Sequence, residues 1–173
     1  DREKLNSYIS SHKFDGVFHL AAQPLVRLSY ENPIETYESN VMGTLKVLEA
    51  CRKNDVKAIV NITSDKAYEN KEWIWGYREN DALGGHDPYS ASKAAAEIAF
   101  SSYLRSFFSN RSNLGAASAR AGNVIGGGDH SDDRLLPDLI RGLKENKKTI
   151  IRNDVIYKMK WTGRKTRQAS VRT

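Results

Sequence analysis

The sequence predicts an α/β fold, a parallel sheet covered by helices on both faces, and three observations lead there. Three compact apolar runs, GVFHLAA (16–22), VKAIVNITS (56–64) and LGAASARAG (114–122), have the length and composition of strands. None alternates cleanly between apolar and polar, as a strand with one wet face would. Helical stretches separate them, which is the pattern of strand–helix–strand crossovers. The ends of the three runs, His19–Gln23, Thr63–Lys66 and Arg120–Val124, are rich in polar side chains. In open parallel sheets ligands bind at the carboxyl ends of the strands, so a site is expected where these ends converge.

Taken in order, residues 2–11 read as a short helix leading into the first strand. ENPIETYESNVMGTLKVLEACRKN follows, where Ile34, Tyr37, Val41, Leu45 and Leu48 recur at spacings of three and four; this predicts one helix of about five turns. The second strand opens onto residues 65–86, which carry no clean period and contain Gly76, Gly84 and Gly85. A long loop inside a compact domain is usually functional. A helix is expected from Pro88 to about Phe108, then the third strand, then the flexible turn GGGDHSDD. RLLPDLIRGLKENKK reads as a helix with Pro137 in its first turns, and TIIR as a last strand. From Asp154 no period is sustained, and 154–173 read as a basic, disordered tail behind a body of 1–153.

The 173 residues are enough for a sizeable core. Mean hydropathy is negative, no apolar run reaches the length of a membrane span, and DREKLNSYIS lacks a signal-peptide pattern. Net charge is +6, but its distribution matters more than its total. From Arg141 onward eleven Lys or Arg face two Asp or Glu, while residues 1–140 carry more acid than base. A basic tail attracts phosphates, yet aromatic interleaving is absent, and a solvated tail is the simpler reading over a nucleic-acid or membrane contact. The single Cys51 lies in an apolar-periodic helix, which predicts a buried, inert thiol and fits a cytoplasmic protein. His12, His86 and His130 are scattered without ligand spacing, so no metal is expected.

The most telling short stretch is DPYSASK (87–93). Asp87 suits an N-cap and Pro88 the first helical position, so capping accounts for how the helix starts. It does not account for Tyr89 and Lys93, which stand at i and i+4 on one helix face. An ammonium beside a phenol favours the phenolate and lowers its pKa from about 10. A Tyr–Lys pair at this spacing is common by chance, and its meaning depends on what else the chain holds.

HLAAQPLVRLSYENPIETYESNVMGT, VNITSDKAYENKEWIWGYRENDALGGHDPYSASK and SARAGNVIGGGD followed by DRLLPDLIR supply that. On these motifs residues 1 to about 152 resemble the extended short-chain dehydrogenase/reductase family, within it the nucleotide-sugar dehydratases, and there the branch acting on CDP-glucose. The resemblance implies a Rossmann-like, doubly wound sheet, NAD as cofactor, a nucleotide-sugar substrate and, in full-length members, a homodimer. It implies that Tyr89 takes the proton of the sugar 4-hydroxyl, that Lys93 supports it and holds the nicotinamide ribose, and that Ser64 holds the 4-oxygen. Asp65 and Lys66 stand where dehydratases carry a second acid–base pair, usually Asp-Glu; Asp65 as acid and Lys66 as base would remove the C6 hydroxyl and the C5 proton. Leu20, Ala21 and Ala22 match the stretch that packs on the NAD adenosine and ribose, and Asn40 a helix asparagine near the active site. Asn123 and Arg134 match positions that contact the nucleotide sugar. Gln23 and His19 are expected to line the pocket, while Trp73 and Trp75 could cover the sugar or anchor their loop.

Two departures qualify the resemblance. Family members open with a strand, a glycine-rich turn and a helix that hold the NAD pyrophosphate, and this sequence starts after them, so the fold is expected to be incomplete at both ends. The break in composition after TIIRN suggests a shifted reading frame, a mis-joined exon or a truncated gene. Three possibilities therefore stay open at this point: a piece of a 4,6-dehydratase, a non-catalytic protein keeping the sheet core, or a chain whose basic tail binds polyanions. Within the enzyme class an epimerase or a dTDP- or GDP-hexose dehydratase is the runner-up, although an epimerase needs no acid–base pair after the second strand.

Overall fold

The computed structural model describes residues 1–148 in two compact units, Asp1–Gly122 and a second that starts at Asn123. The expected strand TIIR and the tail 154–173 lie outside the described residues. In the first unit, helix α1 (Arg2–His12) is capped by Asp1, whose carboxylate accepts from the Glu3 and Lys4 N–H groups at 2.9 and 3.1 Å. Strand β1 (Gly16–His19) follows, then helices α2 (Val26–Glu31), α3 (Pro33–Tyr37) and α4 (Gly43–Lys53). Strand β2 (Ala58–Ser64), helix α5 (Pro88–Tyr103) and strand β3 (Gly115–Ala121) complete it. The sheet order is β1-β2-β3, all parallel, with His19, Asn61 and Ser118 in one row.

The single helix expected over 31–54 is broken. Pro33 has no N–H to give and pushes Asn32 out of helical geometry (φ −128°), so α2 stops and α3 starts anew. A π-helical turn, Glu38–Met42, then separates α3 from α4. It coincides with Asn40, whose side chain is drawn into the interior. The helix expected from Pro88 to Phe108 likewise ends in a π turn, Leu104–Phe108, which buries Phe108.

Helices α4 and α5 cover one sheet face, and that face changes character along its length. Its lower part is apolar: Ile59 and Ala116 join Ile9, Leu48, Ala50, Cys51, Val56, Phe100 and Phe108 in the core, with Val17 packed against them. Toward the carboxyl ends the same face presents His19, Asn61, Thr63, Ser118 and Arg120, all buried. The opposite face carries Phe18, Val60, Ile62, Ala117 and Ala119, and within this unit it stays half-buried or exposed. Burial therefore alternates along β2 and β3. The apolar–polar alternation of 60–63 and 117–121 is inverted there, because the polar Asn61, Thr63, Ser118 and Arg120 are the buried residues.

Residues 65–86 are a loop with internal order. It opens with a 3-10 turn (Asp65–Ala67), Tyr68 pairs with Leu83 antiparallel, and the Gly84 N–H donates to the Ala67 carbonyl at 3.0 Å. Tyr77 stacks on Tyr68 at 5.1 Å and meets Trp73 at 5.5 Å. Trp73 thus anchors the loop, while Trp75 is 71% exposed. At its end Gly85 lies hard against α5: a Cβ there would sit 2.3 Å from the Ala91 nitrogen.

In the second unit, Gly128 turns the chain with φ +80° ahead of helix α6 (Leu135–Lys144). Arg141 knits this segment, donating to the His130 carbonyl at 2.9 Å and the Ser131 carbonyl at 3.2 Å, and pairing with Asp132 and Asp138.

Candidate active site

The five predicted catalytic residues lie on three elements, β2, the turn after it and α5. Ser64 closes β2, and Asp65 and Lys66 form the 3-10 turn beyond it, which rests on α5. Ser64 is buried; its hydroxyl donates to Asp65 Oδ1 at 3.2 Å and accepts the Lys66 N–H at 3.3 Å, capping the turn. Asp65 is half-buried and Lys66 exposed, so the pair sits at the rim while Ser64 lies below.

Tyr89 and Lys93 occupy the first turns of α5, whose start is fixed from three sides. Asp87 accepts the Ser90 N–H at 2.9 Å and the Ser90 hydroxyl at 2.6 Å, Pro88 takes the first helical position, and Ser29 accepts the Tyr89 N–H at 3.1 Å. Both side chains are buried, with Lys93 Nζ 6.0 Å from the Tyr89 ring centroid. Burial holds the Lys93 ammonium below the usual lysine pKa, because desolvation disfavours the charged form.

His19 shares this neighbourhood. Its pKa is depressed first by burial and then by the Lys93 charge, which keeps the ring neutral. Nε2 lies 3.2 Å from Thr44 Oγ1, whose own proton goes to the Asn40 carbonyl at 2.7 Å. Thr44 can therefore only accept, and Nε2 carries the hydrogen.

Asn40 is a brace. Its oxygen accepts the Gln23 N–H at 2.8 Å, and its nitrogen donates to the Gln23 carbonyl at 3.1 Å and Ser92 Oγ at 2.8 Å. One amide thus ties the loop after β1 to α5 at Ser92, next to Lys93. The Gln23 side chain donates to the Leu25 carbonyl at 3.1 Å and to Thr36 Oγ1 of α3 at 2.9 Å. Leu20 and Ala21 are exposed and Ala22 half-buried, leaving open backbone at the carboxyl end of β1. Asn123 and Arg134 belong to the second unit, where Asn123 is exposed and Arg134 pairs with Asp129 at 3.4 Å.

A buried carboxylate escaped the sequence reading. Glu97 is 3% exposed and accepts from Thr63 Oγ1, from Ser118 Oγ at 3.1 Å and from Arg120 Nη2 at 2.9 Å. The signal was available in part: Glu97 follows Lys93 at the same i+4 spacing that links Lys93 to Tyr89. Cys51 is fully buried, and burial pushes its thiol up to about 11, which makes it inert. Among the described residues no group of three His, Cys, Asp or Glu is placed to hold a metal ion, and no helix is long and apolar enough to cross a membrane.

Helix α5, with Tyr89 and Lys93 buried near its start, packs on the Asp65–Ala67 turn that follows β2. The model of the NAD-dependent epimerase/dehydratase family matches residues 1–167, and the chain belongs to that family. A CDP-glucose 4,6-dehydratase of Salmonella typhimurium is 56% identical over 158 residues, covering 88% of this chain and 44% of the relative. A dTDP-D-glucose 4,6-dehydratase of Dictyostelium discoideum is 31% identical, covering 96% of this chain and 38% of the relative. Among solved structures, the UDP-glucuronic acid 4-epimerase of Bacillus cereus, in complex with UDP-glucuronic acid and NAD, superposes with a TM-score of 0.76 at 25% identity, over 89% of this chain and 47% of that one. The chain spans less than half the length of these relatives.

Proposed function

We propose that this chain carries the acid–base centre of an NAD-dependent nucleotide-sugar 4,6-dehydratase whose substrate is CDP-glucose. What carries the reading is the turn after β2, where Ser64 caps Asp65-Lys66 on the same helix that bears Tyr89 and Lys93. Likeness to the Salmonella relative supports the choice of CDP-glucose.

In this reading Leu20, Ala21, Ala22, Asn40, Tyr89 and Lys93 hold NAD, and Gln23, Asn123 and Arg134 contact the nucleotide sugar. The open backbone after β1 and the buried ammonium of Lys93 suit a dinucleotide: one offers close approach, the other a donor to ribose hydroxyls. NAD supplies a hydride acceptor for C4 and later a donor for C6. Tyr89, beside Lys93, takes the 4-hydroxyl proton, and Ser64 holds the same oxygen once its hydroxyl turns from Asp65 Oδ1. With C4 a ketone, the C5 proton becomes acidic. Lys66 as base removes it, and Asp65 as acid protonates the C6 hydroxyl, which leaves as water. Lys66, which is exposed and exchanges its proton with solvent, then returns one to C5. Atoms balance as loss of one water, and the product is a 4-keto-6-deoxy sugar nucleotide. A homodimer goes with this reading through the family likeness, and a reducing cytoplasm suits the lone buried thiol.

A 4-epimerase is the second reading, favoured by the UDP-sugar epimerases among the structural relatives. It would use Tyr89 and Lys93 and give Asp65-Lys66 no work. The discriminating experiment replaces the matching stretch of the Salmonella enzyme with residues 1–148 of this chain and supplies NAD with CDP-, dTDP- and UDP-glucose. Dehydration of CDP-glucose in preference to the others is expected. A 4-epimer as product would establish the second reading instead.

A further inference from the structure

We infer that Glu97 and Arg120 form a buried clamp that positions the Ser64–Lys66 turn and the loop beyond it against the helix bearing Tyr89 and Lys93; the inference rests on the proposed dehydratase reading. Glu97 stands one turn below Lys93 on α5 and is 3% exposed. A carboxylate so far from water needs strong partners, and it draws them from two strands. One oxygen accepts from Thr63, the residue before Ser64. The other accepts from Ser118 and from Arg120 of β3 at 3.1 and 2.9 Å. A single carboxylate thus fixes where β2 and β3 end relative to α5.

Arg120 passes this constraint outward. Its second nitrogen donates to the Glu79 carbonyl at 3.0 Å, and its guanidinium lies 4.8 Å from the Tyr68 ring centroid. Tyr68 follows directly on the Asp65–Ala67 turn and carries the Tyr77–Trp73 stack. Although burial opposes its charge, hydrogen bonds to Glu97 and Tyr68 raise the arginine pKa, so it remains a cation throughout. One guanidinium therefore meets the 65–86 loop at Tyr68 and at Glu79 and is itself held by Glu97. Neither residue touches the reacting atoms in the proposed reaction. They act through Ser64, Asp65 and Lys66, which makes them positioning residues.

Two variants separate the clamp's halves. Glu97→Gln keeps the shape but loses the charge against Arg120. Arg120→Lys keeps the charge against Glu97 but loses the second donor and the flat stacking surface. Amide hydrogen exchange of the full chain is the primary readout. Glu97→Gln is expected to speed exchange at Lys66, Tyr68 and Gly84 by about tenfold, the scale of losing one charge-assisted hydrogen bond, with amides of α1 and β1 unchanged. Arg120→Lys should speed exchange at Glu69 and Gly84 and leave Lys66 within about twofold. Uniform acceleration across the chain, or none at the turn, would overturn the clamp. In the Salmonella chimera, Glu97→Gln should lower kcat and leave KM unchanged; an unchanged kcat would overturn the positioning role. A parent chimera without turnover would count against the dehydratase reading, while hydrogen exchange still decides the clamp.

Discussion

Lys93 is an ammonium largely removed from water, with a pKa held down by that burial. Its depressed value means that, between the folded pKa and the ordinary value of about 10.4, the unfolded chain binds more protons than the folded one. Stability contributed at this site therefore rises with pH across that window and is lowest at neutral pH. Lys93→Met, which keeps the stem and removes the charge, should raise the thermal midpoint at pH 7, and the gain should shrink toward pH 10. Melting curves of both proteins at the two pH values check this, and no gain at pH 7 would contradict it. At this scale the sequence disclosed what local spacing can encode. Tyr89 and Lys93 were visible because i and i+4 share a face, but Glu97, four residues further on, reads in one dimension as an ordinary exposed glutamate. Its burial is decided by Thr63, Ser118 and Arg120, which no local pattern connects to it.

The start of α5 is where elements meet most tightly. Gly85 leaves no room for a side chain: an added Cβ would lie 2.3 Å from the Ala91 nitrogen and 2.5 Å from the Ser90 carbonyl carbon. Gly85→Ala must push the first turn of α5, and with it Tyr89, out of place. A loss of about 1–3 kcal/mol is expected from overpacking, read as a lower urea midpoint. Gly76→Ala is the matched control, because nothing lies within 4 Å of the added carbon; a change under about 0.5 kcal/mol is expected. Asp87→Ala removes the N-cap and should cost about 1 kcal/mol, measured in the same titration. The sequence made this helix start legible through Asp87 and Pro88. It did not disclose the close approach of Gly85, since a glycine in a loop suggests a turn before it suggests contact. The broken helix at 31–54 is a related case: the apolar period ran straight through Pro33 and Asn40, whereas the backbone follows the proline and the inward pull on Asn40.

For the whole molecule, the parallel pairing of the three strands was readable, because strand–helix alternation implies parallel crossovers; their order β1-β2-β3 was not predicted from the sequence. The division of the α4/α5-covered sheet face into an apolar floor and a polar top was not, since it depends on which residues of three separate strands fall in one row. In that top His19, Asn61 and Ser118 stand in one row, below the turn proposed to carry the acid–base pair. The most direct test of that centre is the fate of the sugar C5 hydrogen when the Salmonella chimera carrying residues 1–148 turns over CDP-glucose in heavy water with NAD. A 4-keto-6-deoxy product with one deuterium at C5 is expected, and no product when Tyr89 is changed to Phe. A product that keeps its original C5 hydrogen, or a chimera that folds and binds NAD without releasing water from the sugar, would contradict it.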